Sequence, residues 1–357
     1  MIQMQFSYIK RTLQFRFEAG TSRGVLTTKD VYWIKVQEKP SSSRIGWGEA
    51  APLVMLSVDD RPDFEDVLAK TLKDLDQKSW STEADELLKE VNERVPTELP
   101  SIRFGVETAL LDWLNGGQRV VFRTPFVTEE KPIPINGLIW MGTKEFMLEQ
   151  IDQKLQEGFN CIKLKIGAID FDQELALLRY IRSKYTADQI ILRVDANGAF
   201  SPEEAELKLQ RLAEFDLHSI EQPIRAGQWT AMKQLCASTP LPIALDEELI
   251  GIREKESLLD RIQPQYLILK PSLVGGILET REWIRLAEER NVGWWMTSAL
   301  ESNIGLNAIA QLTDTYSPTM PQGLGTGKLY HNNLDSPLEI SGGQIFYRSE
   351  KTWELPH

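Results

Sequence analysis

The chain has 357 residues, of which 42% are hydrophobic and 26% charged, and its net charge is −12 at pH 7. This composition is that of a globular protein with a large core, and the acidic balance argues against nucleic acid or an anionic membrane as the main partner. A small anionic carboxylate substrate remains compatible, because the charge inside a cleft can oppose the net charge.

Cysteine content and hydropathy indicate the compartment. Cys161 and Cys236 belong to no CxxC motif or Cys/His cluster, so neither a disulfide framework nor a structural zinc site is expected. The N-terminus MIQMQFSYIKRTLQFRF lacks the apolar core of a signal peptide, and no apolar run approaches the span of a bilayer. We therefore expect a cytoplasmic protein without a membrane partner.

The first part of the chain predicts a mixture of strands and helices. Residues 5–17 and 31–38 alternate in the manner of strands, and the segment GWGEAAP at 46–52 closes this β-rich part. Two helices are then predicted in DFEDVLAKTLKDLDQ and STEADELLKEVNERV, the second with a cap signal at Ser81 and Thr82. SIRFGVETALLDWLNGG predicts a third helix.

From residue 133 onward, short apolar strands alternate with amphipathic helices. The predicted strands are IPINGL, CIKLKI, IILRVD, HSIEQ, PIALDE, YLILKP, GWWMTS and a weaker one near MPQGL. Eight strands that are each followed by a helix predict a (β/α)8 barrel, with an open doubly wound sheet as the alternative. The segment GLGTGK at 323–328 has the wrong spacing for a phosphate loop, and Leu329 stands where Ser or Thr is required.

Five successive strands end in a charged residue, and Ser298 occupies the corresponding position after the next one. The charged residues are Lys165, Asp195, Glu221, Asp246 and Lys270. In a barrel, this phasing brings them to the C-terminal rim, where barrel enzymes carry their chemistry. A single carboxylate after a strand is more often a helix cap or a solvated loop charge, but five charges at one phase favour a common site.

The segment CIKLKIG places Lys163 and Lys165 on the same face of a strand. On a sheet with one face in water they would be ordinary solvated charges. Helices cover the outer face of a strand in a βαβ series, so Ile162, Leu164 and Ile166 should contact those helices. Both lysines are then predicted to face the barrel interior.

Asp195, Glu221 and Asp246 would form an all-oxygen site that suits Mg²⁺ or Mn²⁺ and suits zinc poorly. The ring order places Lys165 and Lys270 on opposite sides of that metal. A substrate carboxylate bound there would have one lysine at each face of its α-carbon. Removal of the α-proton creates an enolate that a divalent ion and an ammonium group stabilise.

Lys165 is the candidate base in this scheme, provided that burial and nearby positive charge lower its pKa. Lys163, two residues earlier on the same face of the strand, is a candidate source of that positive charge. Lys163 is also predicted to line the substrate site. Arg193, two residues before Asp195, is predicted to orient a ligand carboxylate or to pair with Glu221. Asn197 is predicted to lie beside the metal loop.

The motifs KLKIG, RVDANGAF, SIEQPI, ALDEEL and LILKPSLVGG resemble the enolase superfamily, specifically its muconate-lactonizing branch. The resemblance covers nearly the whole chain. It is specific, because the identity, order and spacing of the motifs all agree. It implies a (β/α)8-type, modified TIM barrel with an N-terminal α+β capping domain. The expected limits are 1–115 for the capping domain, 116–330 for the barrel and 331–357 for a C-terminal segment that packs back on the capping domain.

The resemblance also implies roles for single residues. Lys165 would be the acid/base, Lys270 would stay protonated across the site, and Asp195, Glu221 and Asp246 would bind Mg²⁺, with Mn²⁺ as a substitute. Ser298 and the backbone amides around Gly323 and Gly325 would receive a second, distal carboxylate of the substrate. The loop from Gly20 to Val25 would cover the site.

Within the branch, a chain of this length with TSALESNIG and GLGTGKLYHNN most resembles a dehydratase of menaquinone synthesis that acts on a succinyl-hydroxycyclohexadiene carboxylate. N-acylamino acid racemization, dipeptide epimerization and cycloisomerization use the same constellation and remain alternatives. The eighth-strand region carries GLGTG rather than the Asp-x-Asp element of dipeptide epimerases. A barrel that only binds its ligand is a further alternative, against which the complete set of carboxylates and lysines argues.

Overall fold

The computed structural model describes residues 1–21, 24–40 and 43–356. The N-terminal part holds a four-stranded antiparallel sheet in the order β3-β2-β1-β4. Its strands are β1 (Ile2–Thr21), β2 (Gly24–Glu38), β3 (Ile45–Ala50) and β4 (Ser79–Trp80). Three helices accompany it: α1 (Phe64–Leu75), α2 (Ala84–Arg94) and α3 (Pro100–Leu114). This is the α+β unit that the sequence predicts.

The central part is a curled parallel sheet in the order β12-β11-β10-β9-β8-β7-β6. Its strands are β6 (Gly137–Ile139), β7 (Cys161–Lys165), β8 (Ile191–Asp195), β9 (Ser219–Glu221), β10 (Ile243–Leu245), β11 (Tyr266–Leu269) and β12 (Gly293–Met296). Two isolated parallel bridges, Thr297 to Gly323 and Ile135 to Gln322, connect the two edges through an eighth segment. The barrel prediction is confirmed.

Helices follow the barrel strands and cover their outer face. They are α5 (Lys144–Gln156), α6 (Phe171–Lys184), α7 (Pro202–Ala213), α8 (Trp229–Ser238), α9 (Lys255–Ile262), α10 (Pro271–Val274), α11 (Ile277–Glu288) and α12 (Asn303–Asp314). Two short 3₁₀ helices span Glu247–Leu249 and Gly325–Lys328. None of the helices in the described ranges is long and apolar enough to cross a membrane.

The C-terminal segment contacts both parts of the protein. The strands β13 (Leu338–Ser341) and β14 (Gln344–Tyr347) form a small antiparallel sheet with β5 (Ile133–Pro134), which α4 (Pro125–Thr128) precedes. Just before this sheet, the amide of His331 donates to the carbonyl of Gln14 in β1 at 2.9 Å. The predicted domain limits stay predictions.

Glycines at two positions explain why the segment GWGEA lies directly on α3. A Cβ atom added at Gly48 would lie 2.0 Å from the carbonyl oxygen of Gly105, and one added at Gly46 would lie 2.1 Å from that of Ala109. Such approaches are impossible for any residue with a side chain. The strand β3 can therefore contact the backbone of α3, which is buried along almost its whole length.

Buried polar contacts join the capping unit to the barrel at the loop after β12. Glu49, at the end of β3, is fully buried and accepts hydrogen bonds from the amides of Ser302 at 2.8 Å and Gly305 at 2.9 Å. These amides belong to the first turn of α12, where a carboxylate is favourable, but burial raises the pKa of Glu49 to about 7. Lys29 of β2 donates to the carbonyl of Ala299 at 2.5 Å.

Three local predictions were wrong. The strand IPINGL is divided, since residues 133–134 pair in the C-terminal sheet and 137–139 in the barrel. The segment near MPQGL forms single bridges rather than a strand. The helix α2 begins at Ala84, so Glu83 takes the cap position, and the hydroxyl of Ser81 accepts a hydrogen bond from the amide of Glu83 at 3.1 Å.

The contact between β3 and α3 gives a first testable prediction. Gly48→Ala is expected to lower the free energy of unfolding by about 3 kcal/mol, because backbone rather than a movable side chain opposes the new Cβ. Urea unfolding measures the change. Gly327→Ala serves as the control, since its nearest atom would be a leucine methyl at 3.2 Å. Equal stability losses in the two variants would contradict the packing explanation.

Candidate active site

The predicted charged residues lie together at the C-terminal ends of adjacent strands. Lys165, Asp195 and Glu221 are the last residues of β7, β8 and β9, and they are paired across the sheet in register. Asp246 and Lys270 directly follow β10 and β11. The parallel register therefore brings the five side chains to one rim, as the spacing predicts.

Close ion pairs connect these side chains. Lys163 Nζ lies 3.0 Å from Asp195 Oδ2 and 2.7 Å from Glu221 Oε2, so one ammonium group bridges two carboxylates. Lys165 Nζ lies 3.3 Å from Asp195 Oδ2, and Lys270 pairs with Asp246. All of these residues are buried. Both lysines of the KLK segment thus face the interior, as predicted.

The three lysines differ in the direction of their pKa shifts. Burial alone would lower the pKa of Lys163, but the charges of Asp195 and Glu221 outweigh it and raise that pKa. Asp246 has the same effect on Lys270, so its pKa is also raised despite burial. For Lys165, burial and the positive charge of Lys163 prevail over Asp195, and its pKa is lowered. Lys165 is therefore the lysine that most readily loses its proton.

The carboxylates separate in a similar way. Burial favours the neutral form of Asp195, but the charges of Lys163 and Lys165 hold its pKa well below the usual range. Burial, followed by repulsion from Asp195, raises the pKa of Glu221 to about 8. Adjacent carboxylates thus repel each other, and the positive charges of the site decide which is ionised.

Asn197 joins Lys165 to the next loop. Its side-chain oxygen accepts a hydrogen bond from Lys165 Nζ at 2.8 Å, and its amide group donates to Glu247 Oε1 at 3.1 Å. The backbone amide of Asn197 also donates to Asp195 Oδ1 at 3.0 Å. A φ of 44° at this position suits asparagine, which tolerates the left-handed region. Asn197 therefore fixes the ammonium group of Lys165 above Asp195.

A cavity of about 890 Å³ opens above the charged rim, a size typical of small-molecule sites. Its floor contains Lys163, Lys165, Asp195, Asn197 and Lys270. Among the described residues, the lining includes neither Glu221 nor Asp246. These two carboxylates pair with Lys163 and Lys270, which do line the cavity.

The rim can supply oxygen ligands to a divalent cation. In the ranges that the structure describes, no set of three His, Cys, Asp or Glu side chains is already arranged as a metal site. The donor types nevertheless fit, because three carboxylates end adjacent strands and Glu221 Oε1 is buried with no hydrogen-bond partner among the described residues. Lys163 and Lys270 now contact Glu221 Oε2 and Asp246 Oδ2, so a cation would compete with these lysines for the carboxylates.

Ser298 and Gly323 line the cavity, but their hydrogen-bond donors are engaged. The hydroxyl of Ser298 donates to Glu301 Oε2 at 2.5 Å, and its oxygen accepts from the amide of Leu300 at 3.1 Å. The amide of Gly323 donates to the carbonyl of Met296 at 2.8 Å. Gly325 lines the same wall. Their role toward a distal carboxylate stays a prediction, and Ser298 would have to turn its proton away from Glu301.

Arg193 lies deeper in the barrel than predicted. It is 1% exposed, donates to the carbonyl of Pro321 at 2.8 Å, and its guanidinium carbon lies 3.9 Å from the centroid of the Trp295 ring. Among the described residues, it does not line the cavity. The predicted pairing with Glu221 is replaced by these contacts, and its role toward a ligand carboxylate stays a prediction.

The sequence interpretation missed several residues at the site. The capping unit contributes Arg16 and Phe17 of β1 to the cavity wall, and Trp140 lies with its ring centroid 5.8 Å from Lys165 Nζ. Glu301 is fully buried and accepts from both Ser298 and Ser272 at 2.5 Å. Within the covering loop predicted at 20–25, Gly24 and Val25 line the cavity, whereas residues 22–23 lie outside the described residues.

Comparisons with known sequences agree with this architecture. The family model described as Enolase C-terminal domain-like matches residues 147–350. The o-succinylbenzoate synthase of Desulfotalea psychrophila is 49% identical, with 97% of this chain and 99% of the relative covered. The L-Ala-D/L-Glu epimerase of Bacillus subtilis is 24% identical, with 75% of this chain and 74% of the relative covered.

Solved structures show the same fold. The crystal structure of MenC from Desulfotalea psychrophila has a TM-score of 0.86 and 45% sequence identity, and covers 96% of this chain and 99% of its own. The dipeptide epimerase of Enterococcus faecalis, solved with Mg and the dipeptide L-Leu-L-Tyr, has a TM-score of 0.85 at 16% identity over 99% and 98% of the two chains. At that identity the likeness concerns the fold alone.

The engaged hydroxyl of Ser298 gives a second prediction. Ser298→Ala leaves Glu301 Oε2 and the amide of Leu300 without this partner, so we expect the free energy of unfolding to fall by about 2 kcal/mol. Ser257→Ala, on the exposed face of α9, is the matched control and should change stability little. Equal chemical-denaturation midpoints for Ser298→Ala and the unchanged protein would contradict this role.

Proposed function

We propose that this chain, which belongs to the Enolase C-terminal domain-like family, catalyses the o-succinylbenzoate synthase reaction. In this reaction, 2-succinyl-6-hydroxy-2,4-cyclohexadiene-1-carboxylate loses water and becomes o-succinylbenzoate. The protein is then a carbon–oxygen lyase of the enolase superfamily that acts in menaquinone synthesis. The observation that carries the chemistry is the pair of lysines with opposite pKa shifts in one cavity, lowered for Lys165 and raised for Lys270.

The choice of substrate rests on sequence likeness. The Desulfotalea psychrophila synthase is 49% identical over nearly the full length of both chains. The MenC structure from the same organism has a TM-score of 0.86 at 45% identity. Reduced cysteines suit a cytoplasmic location, which we retain in the proposal, since Cys161 and Cys236 are both buried and free.

We propose Mg²⁺ as the cofactor, with Mn²⁺ as a substitute. Asp195, Glu221 and Asp246 would hold it, because their carboxylate oxygens lie at the ends of three adjacent strands. When bound, it neutralises the carboxylate repulsion at the rim and stabilises negative charge that develops on the substrate carboxylate.

Lys165 performs the proton transfers in this proposal. Its neutral amine takes the α-proton, and the electrons of the broken C–H bond enter the enolate of the substrate carboxylate. The ammonium then returns that proton to the departing hydroxyl, so that the C–O bond breaks, water leaves and the ring becomes aromatic. The lowered pKa of Lys165 supports the first step, because it increases the neutral fraction of the base.

Lys270 stabilises the enolate from the other side of the substrate. Beside Asp246 its pKa is raised in this structure, and an ammonium group stabilises an enolate better than a neutral amine would. Asn197 holds the side chain of Lys165 in place through their 2.8 Å hydrogen bond. Proton removal is therefore assigned to one lysine and charge stabilisation to the other.

The distal succinyl carboxylate is assigned to the opposite wall of the cavity. Ser298, Gly323 and Gly325 lie there, and Lys163 adds positive charge to the floor. Arg16 of the capping unit is a further cation in the lining. An anionic substrate thus meets cations from the barrel and from the capping hairpin.

Racemization of N-succinylamino acids is the second candidate function. The cavity exposes both Lys165 and Lys270, so a proton acceptor and a proton donor are both available. An N-succinylamino acid racemase from Amycolatopsis is 28% identical, with 57% of this chain and 55% of the relative covered. Protonated Lys270 favours elimination over this two-base reaction.

A direct assay distinguishes the two functions. The kcat/KM for the succinyl-hydroxycyclohexadiene carboxylate should exceed that for any member of a panel of N-acylamino acids. A preference for the panel by more than about tenfold, or about 1.4 kcal/mol of transition-state binding, would overturn the proposed substrate. A chain that neither turns over any carboxylate nor exchanges an α-proton with solvent deuterium in the presence of Mg²⁺ would be a binding protein.

The base assignment gives a third prediction. Lys165→Ala should lower kcat by about 10³-fold or more, since general acid–base catalysis contributes on that scale. Its circular dichroism spectrum and Mg²⁺ affinity should stay close to those of the unchanged protein. Lys184→Ala, on the exposed end of α6, is the control and should keep full activity. Substantial turnover by Lys165→Ala would refute the assignment.

The charge of Lys163 gives a fourth prediction, on pH dependence. Lys163 lowers the pKa of Lys165, so Lys163→Met should raise that pKa and decrease the neutral fraction of the base at a given pH. The acidic limb of the kcat/KM profile should therefore move to higher pH. Lys184→Met should leave the limb in place. A limb that stays fixed or moves to lower pH in Lys163→Met would contradict the electrostatic role.

A further inference from the structure

Gln222 occupies an unusual position between two of the proposed metal ligands. It follows Glu221 at the end of β9, it is fully buried, and its φ of 39° lies in the left-handed region. A side chain other than glycine, asparagine or aspartate in this region is uncommon and costs energy. The strain raises the question of what the Gln222 side chain contributes.

The side-chain oxygen of Gln222 holds the backbone of the neighbouring loop. Gln222 Oε1 accepts hydrogen bonds from the amide of Asp246 at 3.2 Å and from the amide of Glu248 at 3.3 Å. Both amides belong to the turn that follows β10 and carries Asp246. Through this oxygen, Gln222, the neighbour of Glu221, holds the backbone of Asp246.

The amide group of the same side chain is held from the other direction. Gln222 Nε2 donates to the carbonyl of Ile224 at 3.0 Å and to Glu248 Oε2 at 3.1 Å. Glu248 is itself buried, and its Oε1 accepts from the amide of Gly227 at 2.8 Å. All four hydrogen bonds fix one orientation of the Gln222 side chain. If its oxygen and nitrogen exchanged places, the NH₂ group would face the backbone amides of Asp246 and Glu248, which are also donors.

The backbone of Gln222 extends the connection to a third loop. Its amide donates to the carbonyl of Ala244 in β10 at 2.9 Å, and its carbonyl accepts from the amide of Gly198 at 2.7 Å. Gly198 belongs to the loop after Asp195. One residue therefore contacts the loops after β8, β9 and β10, the three strands at whose ends the carboxylates lie.

We propose that Gln222 is a positioning residue for the cation site, because its side-chain amide holds the Asp246 turn in register with Glu221. The inference rests on the proposed function, since it assumes that these carboxylates bind Mg²⁺. Gln222 touches neither substrate nor cation in this arrangement. It acts through the backbone of Asp246, so its loss should weaken Mg²⁺ binding before it affects any chemical step.

The chain offers a matched control in Gln311 of α12. This glutamine is also fully buried and makes the same pattern of four hydrogen bonds. Its Oε1 accepts from the amides of Val121 at 2.7 Å and Phe122 at 3.0 Å, and its Nε2 donates to Arg119 O and Asn307 Oδ1, both at 2.9 Å. Replacement of either glutamine by methionine removes equal numbers of hydrogen bonds at similar volume.

The experiment compares Gln222→Met, Gln311→Met and the unchanged protein by titration calorimetry with Mg²⁺. We expect Gln222→Met to weaken Mg²⁺ binding by about tenfold or more, as is typical when a group that orients a metal ligand is removed. Gln311→Met should stay within about threefold of the unchanged protein. Turnover by Gln222→Met should recover when Mg²⁺ is raised above its new Kd, which a purely structural defect would not allow.

Other results separate this inference from the proposed function. Failure of the unchanged protein to bind Mg²⁺ would overturn the cation site itself. Binding that is unchanged in Gln222→Met, or equally weakened in Gln311→Met, would overturn only the role of Gln222. If Gln222→Met does not fold, residue-resolved hydrogen exchange of the unchanged, metal-free protein decides: protected Asp246 and Glu248 amides support the inference, and fast exchange overturns it.

Discussion

The burial of charge at the mouth of the barrel is the constraint on which the rest of the structure depends. Three carboxylates and three ammonium groups share this region: Asp195, Glu221, Asp246, Lys163, Lys165 and Lys270. The transfer of any one of these charges from water to the protein interior would cost free energy. Their common burial costs less, because every lysine contacts a carboxylate. The loss of one partner would leave another charge uncompensated.

This constraint explains how the surrounding structure is built. The parallel register sets the height of each charged side chain, and Asn197, in the loop after β8, fixes the directions of Lys165 and Asp195. Glu49 and Lys29 hold the capping unit against the loop after β12, so that the capping hairpin reaches the cavity. The shifted pKa values of Lys165 and Lys270 then follow from their different neighbours rather than from a difference in residue type.

Much of this arrangement could be predicted from the sequence. The strand period and the spacing of the strand ends give the barrel, the inward lysines and the meeting of Lys165 with Asp195 and Glu221, because the geometry of βα units repeats. Pairing partners across space do not follow from such periodicity. The attachment of Arg193 to Pro321 depends on packing between distant segments, and that of Ser298 to Glu301 depends on the conformation of the loop after β12. At the eighth position of the barrel, single bridges stand where the sequence predicts a regular strand.

In the proposed enzyme, the carboxylates that pair with lysines in this structure bind one divalent cation instead. Anomalous diffraction from crystals grown with Mn²⁺ tests this claim most directly, since it locates the ion without reference to activity. We expect a single strong peak at the barrel rim, from an ion bonded to oxygens of Asp195, Glu221 and Asp246, with Lys163 and Lys270 moved from the oxygens that they contact now. A peak at another place, or no peak at saturating Mn²⁺, would contradict it.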